Sequence, residues 1–113
     1  MSEMQFEQVK NEVSQVIQNV LGDKLRNVIL YGSYARGDYC EESDMDIMVL
    51  ADVNNNEAYP YKKELRKITS QIALKNDVMV SVFLINKQFF DDHISILPFY
   101  QNVINDGVEL YDN

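Results

Sequence analysis

Two hydrophobic periods alternate along the chain. Between residues 3 and 21 the apolar positions are Phe6, Val9, Val13, Val16, Ile17, Val20 and Leu21. Their steps of three, four and one trace the stripe of an amphipathic helix. Ser2, with Gln5 three residues on, resembles a capping box, and Gly22 ends the stripe. Residues 27–31 (NVILY) then form a short β-prone run that leads into Gly32. A second such run covers 45–51 (MDIMVLA), and Asn54, Asn55 and Asn56 mark a loop after it. The helical period returns over 57–75, where Pro60 fits the first turn. Leu65, Ile68, Ile72 and Leu74 supply its apolar face, and Lys62, Lys63, Arg66 and Lys67 make the other face basic. Residues 77–85 (DVMVSVFLI) are almost unbroken in apolar character, which predicts a central strand buried on both faces. A short helix is expected at 87–92, another from Pro98 to Gly107, and an edge strand at VELY. The order α-β-β-α-β-α-β predicts an α/β (α+β) fold, a mixed β-sheet flanked by helices. No repeat, linker or low-complexity tract interrupts it, so residues 1–113 are expected to form one domain.

Composition narrows the possible functions. With 46% hydrophobic and 25% charged residues, the chain reads as a soluble globular protein. No apolar run approaches the roughly 18 residues of a membrane span, and the N-terminus lacks the pattern of a signal peptide. Cys40 is the sole cysteine, which excludes an internal disulfide and suits a reducing cytoplasm. The net charge of −8 disfavours nucleic acid as a partner, because such binding rests on phosphate neutralisation. A nucleotide remains compatible, since a bound metal supplies local positive charge.

The chemistry concentrates between Gly32 and Asp46. Asp44 and Asp46 stand two apart at the start of an apolar run. In a strand such residues share a face, about 7 Å apart at ~3.3 Å rise per residue. Two carboxylates there repel each other, and a divalent cation removes the conflict. Hard oxygen ligands suit magnesium, which takes one or two carboxylates together with substrate phosphates. Upstream, Gly32 lets the backbone turn sharply against a ligand. Ser33 adds a hydroxyl, and the amides beyond it suit an anion. Arg36 adds a fixed cation, and Gly37 a second flexible point. Phosphate donors and metal ligands therefore lie side by side, as a nucleoside triphosphate with magnesium requires. A P-loop is excluded, since Asp38 follows Gly37 where Lys is needed. An EF-hand counted from Asp44 fails at Met48 and Val49.

Gly32-Ser33, ten residues, then Asp44-x-Asp46 resembles the signature of the DNA polymerase β-type nucleotidyltransferases, above all their small prokaryotic members, the minimal nucleotidyltransferases. The resemblance implies that the Gly32–Ser33 loop holds the triphosphate of ATP, with Arg36 as a further contact. It implies that Asp44 and Asp46 hold two magnesium ions. The family adds a third acid on the next core strand, as metal ligand and base. Asp77 is the expected candidate for that role, and Ser81 is the alternative occupant of the position. The implied reaction is nucleotidyl transfer, with an acceptor hydroxyl attacking the α-phosphorus and pyrophosphate leaving.

The resemblance extends to antitoxins paired with an all-helical HEPN toxin. It implies transfer of AMP to a hydroxyl of such a partner protein. Two alternatives stand beside it, an inactive module that masks its partner and a small-molecule nucleotidyltransferase of the aminoglycoside type. A second copy of the chain is a further candidate partner. Tyr34 and Tyr39 are weighed as a stacking surface for a base against simple packing. His93 reads as a surface residue, and the basic helix face as a solvated one.

Overall fold

The structure is a computed structural model that describes residues 2–40 and 43–113. Helix α1 (Glu3–Leu21) starts where the sequence signals it, with the Ser2 hydroxyl accepting from the Gln5 N–H at 3.1 Å. Strand β1 (Leu25–Tyr31) and strand β2 (Met45–Ala51) flank a four-residue helix, α2 (Ser33–Arg36). Helix α3 (Ala58–Asn76) leads to strand β3 (Val80–Asn86). Helices α4 (Lys87–His93) and α5 (Pro98–Asp106) precede strand β4 (Val108–Asp112).

The four strands form one sheet in the order β3-β2-β1-β4. β1 pairs antiparallel with both β2 and β4, whereas β3 lies parallel to β2, reached through the α3 crossover. Strand pleating sends alternate side chains to opposite faces, so the sheet has two cores. On one face Met45, Ile47 and Val49 pack with Val9, Val13 and Ile17 of α1 and Leu65 and Ile72 of α3. On the other, Ile29, Met48 and Leu50 meet Phe90, Tyr100 and Val103 of α4 and α5. Helices on both faces explain why the β1 and β2 sequences read as continuous apolar runs. Among the described residues no helix is long and apolar enough to cross a membrane.

Three expectations are corrected here. The run 77–85 is not a central strand. β3 lies at the sheet edge, Phe83 is 50% exposed, and Leu84 is its one buried hydrophobic residue. Apolar character reports how much of a strand is suited to burial, not its place in the sheet order. Asp77 does not open that strand either. It caps the C-terminus of α3 in the left-handed conformation, with φ 51°. Leu74 leaves the apolar face of α3 and is 85% exposed.

Candidate active site

Tyr31, the last residue of β1, lies opposite Asp46 in the β1–β2 ladder. Gly32 follows with φ 78° and ψ −155°, a region essentially reserved for glycine. This turn launches α2. The Gly32 carbonyl accepts from the N–H groups of Ala35 and Arg36, both at 3.1 Å. The Ser33 carbonyl accepts from Gly37 and Asp38, and Gly37 closes the helix at φ 83°. The N–H groups of Ser33 and Tyr34 are the first of the helix, and such groups have no intrahelical acceptor.

The turn is pressed against the acid pair. A Cβ added to Gly32 would lie 2.6 Å from Oδ2 of Asp46. Only a residue without a side chain allows the loop backbone this close to the carboxylate. Asp46 is half-buried and Asp44 exposed. Burial pushes the Asp46 carboxyl above its ordinary value, the negative charge of Asp44 pushes it further, and Arg36 opposes both. Burial and the Asp46 charge in turn push the Tyr31 phenol up to about 12. Arg36 itself is exposed and pairs with Asp38 at 3.2 Å. Two carboxylates under mutual repulsion, one of them partly desolvated, are a donor set that fits magnesium.

In the parallel β2–β3 ladder the residue paired with Asp46 is Ser81. Asp77 lies before that strand, at the helix cap, and lines a cleft of about 1070 Å³ with Tyr34, Tyr39, Ser43 and Met79. Among the described residues no three His, Cys, Asp or Glu side chains cluster as a metal site. Asp77 is therefore not brought together with Asp44 and Asp46, because the helix cap intervenes before strand alternation begins. Asp77→Asn is expected to leave turnover within about twofold, well short of the roughly 10²–10⁴-fold loss of a general base. Ser81→Asp is expected to raise it, by adding a carboxylate beside Asp46. Steady-state rates of pyrophosphate release check both, and a steep loss in Asp77→Asn would restore its catalytic role.

Tyr34 is buried and packs against both Phe6 at 5.4 Å and Tyr39 at 4.3 Å, whose rings also meet each other at 6.2 Å. Packing claims it, and Tyr39 alone of the pair is exposed. Sequence reasoning missed Tyr31, although its place immediately before Gly32 at the end of an apolar run was the available signal.

Residues 11–113 match the family described as Polymerase beta, Nucleotidyltransferase. The chain belongs to that family. This nucleotidyltransferase is 37% identical over 107 residues to "Putative protein adenylyltransferase MJ0141" of Methanocaldococcus jannaschii, covering 95% of this chain and 100% of the relative. It is 32% identical over 108 residues to "Putative protein adenylyltransferase MJ0604" of the same organism, covering 96% and 100%. Solved structures share the nucleotidyltransferase fold. A nucleotidyltransferase from Sulfolobus solfataricus superposes with a TM-score of 0.62 at 20% identity, covering 98% of this chain and 86% of that one. A mutant of the toxin–antitoxin MntA–HpeT gives 0.59 at 21%, covering 92% and 73%. A toxin–antitoxin solved with AMP-PNP gives 0.55 at 21%, covering 91% and 73%.

Proposed function

We propose that this nucleotidyltransferase moves AMP from ATP to a hydroxyl of a partner protein, a helical toxin of HEPN type, and so acts as an antitoxin. The observation that carries the reading is the packing of the Gly32 turn against the Asp46 carboxylate, so close that an added Cβ would lie 2.6 Å from Oδ2, which supports joining a phosphate-binding loop to a metal-binding pair. Asp44 and Asp46 hold magnesium. Ser33 and the first amides of α2 bind the triphosphate, and Arg36 exchanges Asp38 for a phosphate. The chemistry supplied by bound magnesium is charge neutralisation at the attacking and leaving oxygens. The chain's own residues position the α-phosphorus for in-line attack and hold the triphosphate still. The names of the two archaeal relatives support a protein acceptor, and the titles of the structural neighbours support a toxin as that protein.

A second reading, a masking module with weak or no catalysis, is favoured by Ser81 beside Asp46. Calorimetric titration separates the site from a purely structural loop. ATP with magnesium is expected to bind, and EDTA to weaken that binding strongly. Binding indifferent to the metal would contradict the proposal.

A further inference from the structure

The two edges of the sheet are built differently. β4 at one edge carries Glu109 and Asp112, and its pairing with β1 slips register between Val28 and Ile29. Charges and an irregularity of this kind stop an edge from recruiting another strand. β3 at the other edge has none of these protections. Its sequence, VSVFLIN, holds no charge and no proline. Its register with β2 runs unbroken through all seven positions from Met45↔Val80 to Ala51↔Asn86. Phe83 is exposed in its middle, and the exposed Met79 and Leu74 stand just before the strand and at the end of α3. In a chain of net charge −8, a seven-residue uncharged edge is a conspicuous exception.

We propose that β3 is the interface of a two-fold homodimer, in which β3 pairs antiparallel with β3 of a second copy and the two sheets become one. The strand is complementary to itself. With Phe83 on the axis, Val82 faces Leu84 of the second copy, Ser81 faces its Ile85, and Val80 faces its Asn86. At the centre the apolar residues meet apolar ones, Val82 against Leu84 on either side of an aromatic pair on the axis, the kind of cross-strand contact that stabilises a sheet. An isologous contact of this type closes on itself and leaves no edge for further growth. Self-pairing at β4 would instead bring the carboxylates of Glu109 and Asp112 towards their own copies. The dimer also approaches the active site. Ser81 is the neighbour of Asp46 in the β2–β3 ladder, so Ile85 of the second copy covers Ser81 on its open side, one strand beyond the acid pair.

The test is the oligomeric state of the purified chain and its Phe83 variants, measured by light scattering coupled to size exclusion. The wild type is expected to be a dimer. Phe83→Lys and Phe83→Glu, each with unchanged circular dichroism, are expected to be monomers. Mixing the two variants is expected to restore a dimer, because opposite charges then face each other across the axis. A monomeric wild type at near-millimolar concentration would overturn the proposal. So would a wild-type dimer that persists in both single variants, since its interface would lie elsewhere. A mixture that fails to re-form a dimer would overturn the register with Phe83 on the axis.

Discussion

Asp44→Asn combined with Asp46→Asn is expected to abolish magnesium-dependent ATP binding and to lower nucleotidyl transfer by roughly 10³-fold or more. A bound metal supplies several kcal/mol of charge stabilisation, and each ~1.4 kcal/mol is a tenfold change in rate. Stability is expected to move the other way. Burial and Asp44 raise the Asp46 carboxyl above its ordinary value, so the fold disfavours its charged form. That penalty is absent below the ordinary carboxylate range, grows as pH rises through it, and is complete above the raised value. Without metal, the double variant should therefore melt at a higher temperature than the parent. Adding magnesium and ATP should raise the melting temperature of the parent and leave that of the variant unchanged. Scanning calorimetry with EDTA and with Mg-ATP checks both signs. A variant that binds Mg-ATP as the parent does would remove the metal assignment.

Gly32→Ala is expected to damage both stability and catalysis. The backbone at φ 78° and ψ −155° costs a residue with a Cβ about 1–3 kcal/mol. For a chain of this size that lowers the melting temperature by roughly 5–15 °C. The new Cβ also meets Oδ2 of Asp46 at 2.6 Å, and the carboxylate is the part that yields. Magnesium affinity should fall with the fold still intact below the transition. By contrast, Gly37→Ala meets open space around its Cβ and is expected to show only the backbone strain of its left-handed φ. Comparing magnesium affinity in the two variants separates backbone strain from the contact with Asp46. Equal losses would sink the contact argument.

These residues also show what the sequence makes legible. Helix α1 and strand β2 fall where the periodicity places them, because each buries a continuous stripe or both faces against helices. The Gly32–Ser33 turn and the acid pair were readable because their spacing is local and their chemistry is tied to residue type. The four-residue helix α2 was not, since one turn shows no period. The position of Asp77 was not readable for a different reason. Its left-handed cap is normally a glycine signal, and aspartate there is masked by the apolar run that follows. The edge position of β3 depends on strand order, which no run of residues encodes. Its apolar sequence looked like a buried strand because it is shaped for burial, and the proposed second copy provides it.

The measurement closest to the central claim is the intact mass of a helical partner protein co-expressed with this chain. The partner is expected to gain one or more AMP groups, each about 329 Da. The gain should vanish with Asp44→Asn. A partner that is neutralised while its mass stays unchanged would contradict AMP transfer and leave the masking module as the account of this site.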